Sequence, residues 1–188
     1  MYKETANKNL FGFWVYLMTD LLSFAALFAT FAVLRNNTFG GPAGNELFSL
    51  PYVLTETLIL LTSSFTAGLA TLAMHKNEVK KTLVWFSLTF ILGATFLGLE
   101  IHEFAKLAAE GNTPQRSAFL SSFFTLVGTH GLHITVGLLW LLIILIQVLR
   151  KGLNPRLTNQ LQRLSLFWHF LDIVWIFIFT IVYLLGAI

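Results

Sequence analysis

The chain has 188 residues, of which 56% are hydrophobic and only 11% are charged, and its mean hydropathy is +0.74. Charged residues make up about a quarter of a typical soluble domain, so this composition excludes an ordinary water-soluble protein and predicts an integral membrane protein. The net charge of +3 comes from short basic clusters between apolar segments, which favours contact with the membrane surface and excludes nucleic acid as a partner. Because cysteine is absent from the sequence, thiolate-held iron–sulfur clusters and cysteine-ligated copper are excluded, and any redox cofactor would need histidine ligands.

Five apolar segments follow one another along the chain, and each reaches the roughly 20 residues that cross a hydrocarbon core. They cover approximately residues 10–34, 51–74, 82–108, 119–149 and 161–187. The first segment has full length and no small-residue cleavage site at its end, so we interpret it as a retained helix. Glycine, proline and charged residues separate the segments. We therefore predict an all-α membrane protein in which residues 1–188 form one domain of five transmembrane helices.

The basic residues of the connections predict how this protein is oriented. An odd number of spans places the two termini on opposite sides of the membrane. Nine Lys and Arg residues fall on the side of the N-terminus and three on the other side. The positive-inside rule then places the N-terminus in the cytoplasm and the C-terminus outside, in the periplasm.

Several polar side chains lie within or at the ends of the apolar segments, where a charge costs about 2.5 to 3.5 kcal/mol on insertion scales. We expect them to face the bundle or one another. They are Asp20, Glu56, Glu100, His102, Glu103, His130, His133, His169 and Asp172.

Counting depth at about 1.5 Å per residue from the inner helix ends sorts most of these side chains into two layers. Asp20, His169 and Asp172 fall in the inner half of the membrane. The outer half receives Glu56, Glu100, His130 and His133. We expect a network that links Glu56, Glu100 and one of the two histidines, because polar groups at one level avoid being left unpaired.

The histidines and acids allow several functions. The i,i+3 spacing of His130 and His133 places both rings on one helix face close to Gly137, where another backbone could approach. His169 and Asp172 share a stripe of the last helix with Thr180 and Tyr183. The histidines could ligate haem or metal, as in a membrane cytochrome, and Asp20 or Glu100 could relay protons. An autonomous carrier could also use the buried acids. The pattern favours interhelical hydrogen bonding and lipid contact, because the outer histidines lie near carboxylates rather than facing a fourth histidine at equal depth.

Three stretches resemble subunit III of the haem–copper terminal oxidases. They are Phe11-Gly12-Phe13-Trp14 running to Thr19-Asp20, Gly128-Thr129-His130-Gly131-Leu132-His133, and residues 167–175 from Phe167 to Trp175. With Glu100-Ile101-His102-Glu103 and the Gly40-Gly41-Pro42 loop, the similarity covers nearly the whole chain. It is close to the five-helix version found in cytochrome bo-type ubiquinol oxidases, whereas the mitochondrial type has two further helices at the N-terminus.

This resemblance implies a non-catalytic subunit of a quinol:oxygen oxidoreductase in a bacterial inner membrane. Subunit I of such a complex carries the haems and copper, reduces oxygen and pumps protons, and subunit III holds no redox centre, so no catalytic, cofactor or metal residue is expected here. The implied partners are oxidase subunits I, II and IV and phospholipid. Subunit III of a cytochrome c or menaquinol oxidase remains an alternative, because other subunits bind the electron donor.

The resemblance also implies a V-shaped helix arrangement with phospholipid in its cleft. The acid of the first helix, Asp20, lies in that region, where the family often has glutamate. A role in lipid binding or in a structural polar network is therefore expected for Asp20, Glu56, Glu100, His130, His133, His169 and Asp172. Support of the catalytic subunit during turnover is the implied task, with oxygen access and proton supply as further options.

Overall fold

The structure, a computed structural model, describes residues 2–38 and 49–186, with the backbone alone for residues 2–7 and 9. These ranges contain five long helices: α1 (Tyr2–Leu34), α2 (Leu50–His75), α3 (Val79–Ala109), α4 (Ala118–Lys151) and α5 (Pro155–Ile178). A π-helical turn over Phe179–Leu184 continues α5. All five helices are long and apolar enough to cross a membrane, which confirms the predicted fold class. The Gly40-Gly41-Pro42 loop and the predicted end of the last helix at residue 187 lie outside the described residues.

The fifth helix begins at Pro155, six residues before the predicted start. Asn154 is its N-cap, and the side-chain oxygen of Asn154 accepts a hydrogen bond of 2.9 Å from the backbone N–H of Leu157. Proline suits the first helical position because its missing N–H would have no partner there. The first two turns are polar, so a search for apolar residues misses them. The connection between α4 and α5 therefore shortens to residues 152–154.

Neighbouring helices pack antiparallel, so the bundle has two ends. The Tyr52 hydroxyl of α2 donates to the Leu99 carbonyl of α3 over 3.0 Å near one end. We call the other end, which carries the connections 76–78 and 152–154, the basic end. It holds the exposed Lys76, Lys80 and Lys81 together with Arg150, Lys151 and Arg156.

The first helix is attached through a narrow stripe. Leu17, Phe24 and Phe31 are spaced seven residues apart and are each at most 2% exposed. They lie against α4 and α5, where Phe31 packs on Phe119 and Phe24 on Phe170. Only 17% of the most apolar window of α1 is buried within the chain. The rest of α1 therefore offers an apolar surface to lipid or to another protein.

Trp168 of α5 fills the space between three other helices. A Cβ atom added at Gly93 of α3 would lie 2.7 Å from its ring, and one at Gly137 of α4 would lie 3.2 Å away. The Nε1–H of Trp168 donates to the hydroxyl of Ser63 on α2 over 3.1 Å. Gly137 thus makes room for aromatic rings rather than for another backbone, which corrects the expectation from the sequence.

Replacing Gly93 by alanine should destabilise the fold, because the new methyl group meets the buried Trp168 ring at a distance that real contacts do not tolerate. Overpacking of this kind costs about 1 to 3 kcal/mol. The thermal midpoint of the detergent-solubilised protein should fall. Gly98→Ala is the matched control on the same helix, because no atom lies within 4 Å of the added Cβ. Equal midpoints for the two variants would contradict the packing described here.

Candidate functional site in the polar interior of the bundle

Asp20 and His133 form a polar pair between α1 and α4. The Nε2 atom of His133 lies 3.2 Å from Oδ1 of Asp20, and the two side chains are 20% and 12% exposed. The other ring nitrogen, Nδ1, lies 2.7 Å from the backbone carbonyl of Thr129. Phe24 packs against the imidazole ring at a centroid distance of 5.3 Å. Both ring nitrogens of His133 therefore have protein partners.

The hydrogen bonds of His133 define the chemistry of this pair. A carbonyl oxygen only accepts, so Nδ1 carries a proton and donates it to Thr129. The contact with Asp20 then requires one further proton between Nε2 and the carboxyl oxygen. With that proton on His133 the pair is an imidazolium and a carboxylate, and with it on Asp20 both groups are neutral. The pair has no net charge in either form, which lowers the cost of placing it in hydrocarbon.

The pairing corrects the predicted two-layer arrangement, which placed Asp20 in the inner half and His133 in the outer half. The depth count took the first helix to begin at residue 10, but α1 begins at Tyr2. Counted from the observed helix ends at Tyr2 and Lys151, Asp20 and His133 each lie 18 residues from the basic end and therefore at the same level.

Glu56 of α2 and Glu100 of α3 are buried, with exposures of 0% and 2%. The carboxyl group of Glu100 lies directly against Gly131, where a Cβ atom would come within 2.7 Å of Oε1. All four carboxyl oxygens of these two residues are without a hydrogen-bond partner among the described residues. Among the described residues, no direct hydrogen bond therefore joins Glu56 or Glu100 to His130 or His133, and a closer association of these groups stays a prediction.

His130 is fully buried, and it contacts α5 rather than the two glutamates. Its Nε2–H donates to the carbonyl of Leu171 over 3.2 Å. The ring packs on Trp175 at a centroid distance of 5.1 Å and meets the edge of Phe96 at 6.0 Å. Because His133 contacts α1, the two histidines of the i,i+3 pair serve different interfaces.

Glu103 is paired with a residue of the last turn. The Tyr183 hydroxyl donates to Oε2 of Glu103 over 3.0 Å, and Tyr183 is fully buried. The carboxyl groups of Glu56 and Glu100 lie close enough to interact electrostatically with this pair. His102 is exposed, contrary to expectation. The predicted stripe also fails at Thr180, which is exposed and lies in the π-helical turn.

His169 and Asp172 of α5 lie near the hydroxyl group of Ser64 on α2. Nδ1 of His169 is 2.6 Å from the Ser64 oxygen, and the Asp172 carboxyl group is close to the same hydroxyl. Neighbouring bonds join Trp175 Nε1 to Thr57 and the Thr71 hydroxyl to Ser165. These α2 hydroxyls were not identified from the sequence. Their seven-residue spacing at positions 57, 64 and 71 is the signal that could have revealed them.

The geometry uses His130 and His133 for contacts between helices. Both nitrogens of His133 are bonded, and the ring of His130 is enclosed by aromatic side chains. Within residues 2–38 and 49–186, no group of three or more His, Cys, Asp or Glu side chains is arranged to hold a metal ion. The polar residues are therefore divided among the helix interfaces instead of converging on one centre.

Comparison with known proteins gives close relatives along nearly the whole chain. It is 56% identical to the cytochrome bo(3) ubiquinol oxidase subunit 3 of Pseudomonas aeruginosa, over 98% of this chain and 88% of that protein. It is 48% identical to the quinol oxidase subunit 3 of Bacillus subtilis, over 97% and 90%. It is also 48% identical to the cytochrome c oxidase subunit 3 of Bacillus sp. strain PS3, over 98% and 89%.

The family model described as cytochrome c oxidase subunit III matches residues 3–187. These matches confirm the resemblance that rested on the three sequence stretches. The chain therefore belongs to the cytochrome c oxidase subunit III family of the haem–copper oxidases.

Proposed function

We propose that this chain is the non-catalytic subunit III of a cytochrome bo-type ubiquinol oxidase in a bacterial inner membrane. The observation that carries the proposal is the 56% identity over 98% of the chain to a protein of that name in P. aeruginosa. A relative from Pseudomonas putida with the same name is 51% identical over 98% of this chain. Subunit III of a cytochrome c or menaquinol oxidase is the second candidate, favoured by the Bacillus relatives at 48% identity.

The proposed task is to support subunit I, which would hold the haems and copper, in contact with subunits II and IV and with phospholipid. Two features of the described helices support this. His130 and His133 each use Nε2 to contact another helix, and α1 exposes most of its apolar surface. Such a surface suits contact with lipid or a neighbouring membrane subunit.

Affinity purification through a tag on this chain tests the assignment. We expect haem and copper to co-purify and the preparation to consume oxygen with ubiquinol as donor. Oxidation of reduced cytochrome c in its place would favour the second candidate. After dissociation of the complex, the separated chain should show no Soret band. Haem retained in stoichiometric amount by the separated chain would contradict the proposal and favour a histidine-ligated membrane cytochrome.

The proposed orientation places the basic end in the cytoplasm, because lysine and arginine are retained on that side. The cysteine-free sequence makes this easy to test with single cysteines. A membrane-impermeant maleimide added to intact spheroplasts should label Gln115→Cys on the opposite end. Lys76→Cys at the basic end should react only after permeabilisation. The reverse labelling pattern would show that the proposed orientation is wrong.

Asp20 is proposed to attach α1 and the lipid near it, rather than to take part in oxygen reduction. Asp20→Ala leaves His133 without its partner, and an unsatisfied buried polar group costs about 1 to 3 kcal/mol. We expect initial oxidase activity close to that of the wild type, a lower thermal midpoint and faster loss of activity during turnover. An immediate and complete block of oxygen reduction would contradict this role.

A double-mutant cycle separates the pair from other effects of Asp20. If the pair carries the effect, Asp20→Ala in a His133→Ala background should cause little further loss of thermal stability. Additive losses would show that Asp20 acts independently of His133.

A further inference from the structure

A cleft opens at the basic end, where α4 ends and α5 begins. It has a volume of about 800 Å³. Its cationic lining consists of Arg150, Lys151 and Arg156, and Ile146 and Leu157 contribute an apolar part. The N-terminus of α5 adds the partial positive charge of a helix end.

Among the residues whose side chains the structure describes, these three cations have no acidic partner. The sequence from Gly111 to Leu171 contains five basic residues and no Asp or Glu. Of the ion pairs between described residues, one joins Lys81 to Glu78 and the other joins His133 to Asp20. Arg150, Lys151 and Arg156 therefore take part in neither, and together they form a concentrated positive field at the mouth of the cleft.

An apolar track leads from these cations along α4. Ile146, Ile143 and Leu139 are 42%, 55% and 57% exposed. They precede Arg150 at spacings of four, three and four residues, so all four side chains lie on one face of the helix. The cleft thus joins a phosphate-attracting mouth to a strip that runs from the membrane surface towards its interior.

We infer that this cleft binds the headgroup of an anionic phospholipid, with Arg150, Lys151 and Arg156 around the phosphate group and an acyl chain along Ile146, Ile143 and Leu139. Arginine pairs well with phosphate oxygens because its guanidinium group can donate two parallel hydrogen bonds. A soluble phosphate ester shares the headgroup chemistry, but it would leave the apolar track uncovered. The track and its position at the end of a membrane-spanning helix therefore favour a lipid. Asp20 lies near the middle of α1, so this site is separate from the lipid region expected there.

The intact complex tests the inference. Purified complex, depleted of exchangeable lipid in mild detergent, is titrated with phosphatidylglycerol or phosphatidylethanolamine and followed by native mass spectrometry. The test variant is Arg150→Gln/Arg156→Gln. The matched control, Lys76→Gln/Lys80→Gln, removes the same charge from the same end of the bundle but outside the cleft.

We expect the test variant to bind one phosphatidylglycerol fewer than the wild type at low lipid concentration. One cation near a membrane surface contributes about fivefold in affinity, so the loss of two should weaken this site on the order of 25-fold. The control should retain the bound lipid. Phosphatidylethanolamine should bind more weakly at this site, and neither inorganic phosphate nor glycerol 3-phosphate at equal concentration should displace phosphatidylglycerol.

Three results would overturn the inference. An equal loss of lipid from test and control variants would show diffuse attraction to the basic end. Displacement by inorganic phosphate or glycerol 3-phosphate would identify a site for soluble phosphate esters. Unchanged phosphatidylglycerol binding in the test variant would show that the cleft holds no such lipid. An acidic segment of another subunit that covers the cleft would give this result.

Discussion

The insertion of Trp168 between α2, α3 and α4 is the contact on which the rest of the bundle depends. Its ring needs the missing Cβ atoms of Gly93 and Gly137, and its Nε1–H needs the hydroxyl of Ser63. Hydrocarbon solvent gives apolar side chains little reason to associate, so close packing and interhelical hydrogen bonds must hold the helices together. The Trp168 side chain supplies both the packing and the hydrogen bond. Two turns later, the Nε1–H of Trp175 donates to the Thr57 hydroxyl of α2 in the same way. These contacts fix α5 against α2 and thereby place the Leu171 carbonyl that orients His130.

The first helix is held in a different way. Its buried stripe of Leu17, Phe24 and Phe31 packs against α4 and α5. Among the described residues, one polar side-chain contact joins α1 to another helix, the contact between Asp20 and His133. Apolar contact alone lets a helix slide in lipid, whereas a directional polar pair fixes its rotation and depth. Since α1 leaves most of its surface uncovered, a change at Asp20 should act on how α1 is seated rather than on chemistry elsewhere in a complex.

The sequence was sufficient to predict five spans, because an apolar run of this length satisfies its backbone hydrogen bonds in a membrane by forming a helix. It was also sufficient to select the buried acids and histidines, since placing a charged side chain in hydrocarbon costs free energy. Their partners were not predictable. Depth counted from the predicted helix ends failed for Asp20 and His133, because α1 begins at Tyr2 rather than at residue 10. The bond between Ser64 and His169 depended on the rotation of two helices about their axes, which hydropathy does not specify.

The charge bias that predicts orientation and the cleft between α4 and α5 have one physical origin. No acid occurs between Gly111 and Leu171, so Arg150, Lys151 and Arg156 find no acidic partner close to them in sequence. Glu78, a described acid of the basic end, is paired with Lys81, and Glu100 is buried against Gly131 of α4. Among the described side chains the three cations have no ion-pair partner, so they are free to attract anions from outside the chain. In the proposed orientation the anionic headgroups of the cytoplasmic leaflet supply them, and a cleft with an apolar track below it would turn this general attraction into the proposed site.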